Sequence, residues 1–305
     1  DFTSVKTAAK RDFVAEYVEA CRAEGLGVGL YFTVKDWDFP AYFGGPEYNP
    51  QGWAGLVEHF HNQAKELLTN YGKIDIFWCD CADDANFRGG WGDNTAEVWR
   101  SQELVDWIEA TQPGILINNR SGLPGDFRTP EQTIPSTGIP GVDWEVCMTM
   151  NTTWGYSDHD DAWKSNETLI RNLVDIVSKG GNYLLNIGPR GDGSIPQQSI
   201  DSMRAIGKWM AVNGEAIYET TASPFEQPAW GRYTKKPGKP YAQVFDWPAD
   251  GKLIVPLKGQ RVTRAYLLAD AGRAALKTQT NSDGVTIQVP SQAPDTIASV
   301  IAIEY

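Results

Sequence analysis

Five apolar segments separated by helical patterns constrain the fold of this chain more than any other feature. The segments span residues 26–33, 73–80, 114–119, 142–149 and 182–188. Strands that are apolar along their whole length are buried on both faces, which is typical of a parallel sheet covered by helices. We therefore predict an α/β fold, with a (β/α)8-type barrel as the candidate architecture. In such a barrel the functional residues lie on the loops after the carboxyl ends of the strands.

Apolar residues at helical spacing predict the connecting helices. They cover about 4–24, Trp53 to Leu68, about 95–111, Leu169 to Val177 with an end at Gly180-Gly181, and about 197–213. Because only five strands fall before residue 220 and the chain begins with a helix, an eight-stranded barrel is predicted to be incomplete. We expect the missing units to precede Asp1.

The pattern changes after Tyr218. Residues 223–240 are rich in proline and glycine, which predicts a linker or an irregular segment. Short strand-like segments separated by turns follow, and they are typical of a small antiparallel β-sandwich. The sequence thus predicts two domains, a partial (β/α) barrel over 1–220 and a C-terminal β-sandwich over 221–305.

Charge and composition exclude several classes of partner. The chain has 27 Lys and Arg against 39 Asp and Glu, a formal net charge of −12. A negative field repels phosphate backbones and acidic lipid surfaces, so we predict no nucleic-acid partner and no membrane partner. The longest apolar runs are also too short to span a bilayer. The 12 Trp and 12 Tyr residues suit the flat C–H faces of sugars, although most of them are expected to pack a core.

Metal ions and nucleotide cofactors are not expected. Cys21, Cys79, Cys81 and Cys147 make no disulfide framework in a chain of this length, and we interpret all four as buried thiols. The sequence contains neither the zinc-protease motif nor a nucleotide-binding glycine loop, so we predict no cofactor and no metal. The chain opens at Asp1 without a methionine or a signal peptide, which indicates a processed or trimmed start and leaves the compartment unknown.

Asp80 ends an apolar strand, where a β/α fold places catalytic side chains. An equally open interpretation is an aspartate that caps the following helix or loop. Glu131 lies in the long loop after the next strand, and such a loop can bring a second carboxylate toward the first. Two carboxylates without metal ligands or a cysteine–histidine pair favour glycoside hydrolysis. One then attacks or stabilises the anomeric centre, while the other protonates the leaving oxygen and later activates water.

Three further side chains are candidates for a sugar pocket. Arg120 follows the strand at 114–119 and can either hold sugar hydroxyls or form a salt bridge with a nearby acid. Trp78 and Trp154 can form the walls of a pocket, with core packing as the favoured alternative for Trp78.

Seven ordered motifs in this chain resemble those of the α-L-fucosidases of glycoside hydrolase family 29. They are LGVGLYFTVKDW (26–37), YGKIDIFWCD (71–80), NNRSG (118–122), GDFRTPE (125–131), DWEVCMTMNTTWGY (143–156), LVDIVSKGGNYLLNIGPRGDGSIP (173–196) and IGKWMAVNGEAIY (206–218). The resemblance extends to Tyr218, and a sandwich follows as in that family. It implies metal-free, retaining hydrolysis of terminal α-L-fucose from a fucosylated oligosaccharide or glycoconjugate. Family members are often secreted, periplasmic or lysosomal.

The resemblance also implies roles for individual residues. Asp80 matches the family's nucleophile, and Glu131 matches its general acid/base. Arg120 matches an arginine that contacts fucose. The remaining pocket positions are matched by the aromatic residues Tyr31, Trp78 and Trp154.

The chain departs from the family pattern in two places. Asn119 stands where the family usually has aspartate, and the histidine-containing H-W-G and K-H-H-D-G-F motifs that hold the fucose hydroxyls are missing. Three hypotheses follow. The first is an active exo-α-L-fucosidase whose open barrel edge is closed by another segment or by a second copy in a homo-oligomer. The second is an inactive remnant that binds fucosylated glycans, and the third is endo-acting cleavage of a fucose polymer.

Overall fold

The structure is a computed structural model that describes residues 3–80, 95–282 and 284–305. The helices are α1 (Phe13–Ala23), α2 (Ala41–Tyr48), α3 (Pro50–Asn70), α4 (Ser101–Thr111), α5 (Asn166–Ser178) and α6 (Gln197–Asn213). The strands are β1 (Gly29–Thr33), β2 (Ile76–Asp80), β3 (Leu116–Ile117), β4 (Phe127–Arg128), β5 (Asp143–Thr149), β6 (Asn182–Asn186), β7 (Gly231–Lys236), β8 (Lys239–Val244), β9 (Lys252–Val255), β10 (Arg264–Leu267), β11 (Thr278–Asn281), β12 (Gly284–Gln288) and β13 (Ser299–Glu304). The chain divides into two compact units, residues 1–129 and 130–305.

The first unit contains a parallel sheet in the order β1, β2, β3. Phe77 and Ile117 are opposite each other in β2 and β3, and both are buried. They share one hydrophobic core with Leu56 and Phe60 of α3. Parallel pairing of apolar strands under a helix confirms the α/β prediction for this part of the chain.

Helix α3 follows the apolar periodicity that predicted it. Its first turn begins at Pro50, and the Asn49 side chain accepts a hydrogen bond from the Gly52 backbone N–H at 2.9 Å. The buried side chains recur every three or four residues, which is the spacing of one helix face. They are Trp53, Leu56, Val57, Phe60, His61, Ala64 and Leu68.

Two predicted helix starts are wrong, and one helix was not predicted. Helix α1 begins at Phe13 instead of about residue 4 because the Asp12 side chain caps it by accepting from the Ala15 N–H at 3.0 Å. Helix α4 begins at Ser101 because Arg100 has a φ of 53°, which ends any helix that precedes it. The unpredicted α2 is short, with an internal glycine and proline that interrupt its periodicity.

In the second unit, β5 and β6 form a parallel pair connected through α5. Thr149 is opposite Asn186 at the carboxyl ends of the two strands. Gly180, with a φ of 81°, turns the chain after α5, so the helix end predicted at Gly180-Gly181 is confirmed.

Two antiparallel sheets follow in the second unit. One has the strand order β10-β13-β8-β7 and the other has the order β11-β12-β9. Side chains of both sheets, including Val244, Ile287 and Ile301, share one core. The alternate side chains of the larger sheet pack against α5 and α6, where the Trp209 indole donates to the Ala298 carbonyl at 2.9 Å. The partial barrel, the sandwich and the boundary near residue 220 stay predictions.

The cysteines only partly follow the prediction. Cys79 and Cys147 are buried, and burial together with the nearby Asp80 charge raises the pKa of Cys79 to about 12. Cys21 is only half-buried because it lies at the edge of the core that α1 covers, so the prediction is wrong for this residue. Cys81 lies outside the described residues. Among the helices described, none is both long and apolar enough to cross a bilayer.

Gly181 is predicted to be essential for packing in the second unit. A Cβ atom there would lie 2.5 Å from two ring carbons of Trp144, which is 2% exposed and has no room to move away. We expect Gly181→Ala to lower the free energy of unfolding by about 1–3 kcal/mol, measured by urea denaturation. Gly207→Ala on the exposed face of α6 is the control, since a Cβ there meets no atom within 4 Å. It is expected to raise that free energy by up to about 1 kcal/mol, and equal shifts in both variants would contradict the packing argument.

Candidate active site

The pairing of β1 with β2 separates a core face from a polar face. Tyr31 is opposite Trp78, and Thr33 is opposite Asp80. Because side chains alternate along a strand, Phe77 and Cys79 enter the core while Trp78 and Asp80 lie on the other face. The rings of Tyr31 and Trp78 stack there with centroids 5.7 Å apart. Trp78 is 9% exposed, so its ring is buried although it lies on the same face of the sheet as Asp80. Core packing and a pocket wall both stay open for this residue.

Both oxygens of the Asp80 carboxylate accept hydrogen bonds from described residues. The Tyr31 hydroxyl donates to Oδ2 at 2.6 Å, and Arg120 Nη1 donates to Oδ1 at 3.0 Å. The side chains of Asp80 and Arg120 are only 15% and 17% exposed. Charge-assisted bonds of this kind stabilise the ionised carboxylate and fix its orientation. The alternative interpretation of Asp80 as a cap involves residues directly after it, which lie outside the described residues.

Arg120 is fixed by Thr129 as well as by Asp80. Its Nε donates to Thr129 Oγ1 at 2.9 Å, and its Nη2 donates to the Thr129 carbonyl at 3.1 Å. The guanidinium carbon lies 4.8 Å from the centroid of the Trp78 ring. Of the two roles predicted for Arg120, the geometry displays the salt bridge, and sugar contact stays a prediction.

Asn119 in turn positions Thr129. Its Oδ1 accepts from both the backbone N–H and the hydroxyl of Thr129, at 3.0 Å in each case. An amide oxygen accepts both bonds here, and a carboxylate oxygen at the same position is able to accept them as well.

Asn118 is a site residue that no pattern in the sequence predicted. Strand β3 has only two residues, so its backbone stops short of the end of β2. The fully buried Asn118 side chain continues the pairing, because its Oδ1 accepts from the Cys79 N–H at 3.0 Å and its Nδ2 donates to the Cys79 carbonyl at 2.9 Å. It therefore fixes the residue directly before Asp80. The signal in the sequence is an apolar strand that ends in two asparagines, Asn118 and Asn119.

Glu131 lies in the second unit, where it forms a β-bridge with Cys147 and the chain turns directly after it at Gln132. Its neighbours bracket Cys147, since the Cys147 N–H donates to the Pro130 carbonyl at 3.2 Å and the Gln132 N–H donates to the Cys147 carbonyl at 3.0 Å. Gln132 has a φ of 54°, a left-handed conformation in which non-glycine residues are uncommon. The Gln132 side chain donates to Thr149 Oγ1 at 3.1 Å, which holds this turn against β5. Gln132 was not predicted from the sequence.

Trp154 contacts Glu131 directly. Its indole N–H donates to Glu131 Oε1 at 3.2 Å, and the tryptophan is 40% exposed. The predicted pocket wall therefore lies beside the predicted acid/base. Tyr31, Trp78, Asp80 and Arg120 form one group within residues 1–129, and Glu131 and Trp154 form a second group within residues 130–305.

A buried aspartate stabilises the loop that carries Trp154. Asp160 Oδ2 accepts from the Thr152 N–H at 2.9 Å, the Thr152 hydroxyl at 2.8 Å and the Thr153 hydroxyl at 2.9 Å. Desolvation opposes its ionisation, but these donors outweigh it and lower the pKa of Asp160 to about 2. Asp160 is therefore ionised at neutral pH, and its role is to hold this loop.

The three histidines differ in environment. His61 on α3 is 1% exposed and burial lowers its pKa, whereas His59 on the same helix and His159 in a loop are exposed. Within the described ranges, no three side chains of His, Cys, Asp or Glu are grouped so that they could hold a metal ion.

Comparison with known proteins identifies the family. A family model described as Alpha-L-fucosidase matches residues 1–215. The alpha-L-fucosidase of Dictyostelium discoideum is 29% identical over 315 residues, covering 96% of this chain and 66% of the relative. The tissue alpha-L-fucosidase of Mus musculus is 31% identical over 324 residues, covering 98% of this chain and 67% of the relative. The chain thus spans about two thirds of the length of the curated relatives it matches.

Solved structures agree with this result. Alpha-L-fucosidase isoenzyme 1 from Paenibacillus thiaminolyticus is 39% identical with a TM-score of 0.89, covering 100% of this chain and 78% of that chain. An alpha-L-fucosidase from Bacteroides thetaiotaomicron, trapped as a covalent intermediate with 2-fluoro-fucosyl fluoride, is 30% identical with a TM-score of 0.89. It covers 100% of this chain and 74% of that chain. The fold is therefore that of solved alpha-L-fucosidases, and the chain belongs to the alpha-L-fucosidase family.

Proposed function

We propose that this protein is an exo-acting, retaining α-L-fucosidase that releases terminal α-L-fucose from fucosylated oligosaccharides or glycoconjugates. The observation that carries the proposal is the Asp80 carboxylate at the carboxyl end of β2, held by Tyr31 on one oxygen and Arg120 on the other. A carboxylate that is oriented by hydrogen bonds and an ion pair at a strand end is suited to attack an anomeric carbon.

The proposed reaction has two displacements. An Asp80 oxygen attacks the anomeric carbon while Glu131 donates its proton to the departing glycosidic oxygen, which leaves a fucosyl ester on Asp80. Glu131, now a carboxylate, removes a proton from water, and the resulting hydroxide oxygen attacks the same carbon from the other face. Asp80 leaves as a carboxylate, and fucose is released with its original anomeric configuration. Neither step needs a metal ion or an organic cofactor.

The comparisons support a covalent route. The Bacteroides thetaiotaomicron alpha-L-fucosidase, whose similarity covers all of this chain, was trapped as a covalent intermediate. A fluorinated sugar accumulates as such an intermediate only where an enzyme nucleophile bonds to the anomeric carbon, as in retaining glycosidases.

The aromatic residues support a pocket for an uncharged sugar. Trp78 and Tyr31 present stacked rings beside Asp80, and Trp154 presents a partly exposed ring beside Glu131. Aromatic faces pack against the C–H surfaces of a sugar, including the methyl group of a 6-deoxyhexose such as fucose.

The proposal includes a homo-oligomer. Within the described residues, β1 lies at one edge of the sheet β1-β2-β3. An edge strand exposes backbone N–H and C=O groups that another strand can pair with. We therefore propose that a second copy covers this edge and completes the pocket. A stable monomer, measured by light scattering in solution, would contradict this part of the proposal.

Replacement of Asp80 tests the nucleophile. We expect Asp80→Asn to reduce the hydrolysis of 4-nitrophenyl α-L-fucoside by on the order of 10⁴-fold, because an amide does not form the ester intermediate. Asp106→Asn, on the exposed face of α4, is the matched control and is expected to retain full activity. A wild-type protein that binds fucosides without cleaving them would instead support the alternative of a glycan-binding remnant.

Replacement of Glu131 tests the acid/base. We expect Glu131→Ala to lower kcat/KM roughly 10²- to 10⁴-fold for fucosylated oligosaccharides, whose leaving groups need a proton. The loss for 4-nitrophenyl α-L-fucoside is expected to be much smaller, since 4-nitrophenolate leaves without one. The exposed Glu226→Ala is the control. Equal losses on the two substrates would rule out this role for Glu131.

A further inference from the structure

The motif NYLLNIG (182–188) contacts the backbone of the segment that contains Trp154. Strand β6 ends at Asn186, and the Asn186 Nδ2 donates to the backbone carbonyl of Trp154 at 2.7 Å. Two residues later, a Cβ on Gly188 would lie 3.1 Å from the Gly155 carbonyl carbon and 3.3 Å from the Trp154 oxygen. One motif therefore holds the Trp154 segment both through a side chain and through a close approach of the backbone.

The fold explains why these two segments meet. Thr149 at the end of β5 is opposite Asn186 at the end of β6. The loop after β5 returns over the end of β6, where Asn186 forms a hydrogen bond with it and Gly188 lies close to its backbone. Before Trp154 in the same loop, the backbone N–H and the hydroxyl of Thr152 donate hydrogen bonds to Asp160. The backbone on both sides of Trp154 is thus fixed.

This anchoring determines where the indole lies. The Trp154 side chain is 40% exposed, so packing on the ring alone constrains it weakly. Its indole N–H nevertheless reaches Glu131 Oε1 at 3.2 Å. A continuous path of contacts therefore leads from Asn186 through Trp154 to the Glu131 carboxylate.

We propose that Asn186 and Gly188 are positioning residues for Glu131 and act through the Trp154 indole. The inference rests on the proposed function, because it assigns Glu131 the acid/base role. Loss of the anchor lets the Trp154 segment move, and the Glu131 carboxylate then loses a donor that orients it. A carboxylate turned away from the leaving oxygen transfers its proton less often, even though Glu131 itself is unchanged.

A double-mutant cycle tests whether Asn186 acts through Trp154. Trp154→Phe keeps an aromatic ring but removes the N–H donor. We expect Asn186→Ala and Trp154→Phe each to lower kcat/KM about tenfold for fucosylated oligosaccharides and to change it little for 4-nitrophenyl α-L-fucoside. The double variant is expected to be no worse than either single variant. Multiplied losses, or equal losses on the two substrates, would overturn the inference.

Two matched controls separate the anchor from general effects on the strand and loop. Asn182→Ala changes an exposed asparagine at the other end of β6 and is expected to behave as the wild type. Gly188→Ala is expected to reproduce Asn186→Ala, whereas Gly191→Ala, where a Cβ meets no atom within 4 Å, is not. Wild-type behaviour of both Asn186→Ala and Gly188→Ala would also overturn the inference.

A spectroscopic readout distinguishes failure of the inference from failure of the proposed function. In protein with ¹⁵N-labelled tryptophan, the Trp154 indole resonance is identified by its loss in Trp154→Phe. We expect it to shift in Glu131→Ala, and we expect Asn186→Ala to abolish that response. A protein that cleaves no fucoside overturns the proposed function, and the resonance then decides the inference alone. An unaltered response in Asn186→Ala overturns it.

Discussion

The hydrogen bonds from Tyr31 and Arg120 to the Asp80 carboxylate are the interactions on which the proposed chemistry depends. Tyr31 reaches one oxygen because β1 pairs with β2 in a register that places Tyr31 opposite Trp78. Trp78 precedes Asp80 by two residues, so the two side chains lie on the same face of the sheet. A shift of one residue would turn Tyr31 and Asp80 to opposite faces of the sheet. The buried amide of Asn118 pairs with the residue before Asp80, so the strand end is fixed from both sides.

The second group is built in a different way. Glu131 and Trp154 both lie on loops, which are usually more variable in conformation than strands. Buried or strained polar residues supply the missing rigidity. Gln132 has a left-handed backbone conformation directly after Glu131. Asp160 accepts hydrogen bonds from the loop that carries Trp154. Strain and buried charge of this kind persist only where the surrounding contacts enforce them.

Sequence patterns predicted the elements that depend on local periodicity. Helices α3, α5 and α6 and the strands that end at Asp80 and Thr149 follow directly from apolar spacing, because burial dictates both pattern and structure. The strand-end rule also selected Asp80 and Arg120, which the structure brings together. The predicted starts of α1 and α4 were wrong because a single cap or a single left-handed residue decides them, whereas their predicted ends agree with the structure.

The residues that were missed share one property. Asn118, Thr129, Gln132 and Asn186 act through hydrogen bonds to residues 9 to 39 positions away in sequence. No local pattern records such a contact, since its partner is known only once the strands have paired. An amide in a sequence is compatible with a turn, a cap or an exposed position. Only the folded chain selects among them.

The central claim is that Asp80 bonds covalently to the sugar. Incubation with 2-fluoro-fucosyl fluoride tests it most directly, since the fluorine at C2 slows hydrolysis of the ester and fluoride is a good leaving group. After proteolysis and mass spectrometry, we predict one 2-fluorofucosyl group on the peptide that contains Asp80. None is expected in the Asp80→Asn variant. A label on Glu131 or on any other residue, or hydrolysis of fucosides by Asp80→Asn at the wild-type rate, would contradict the account.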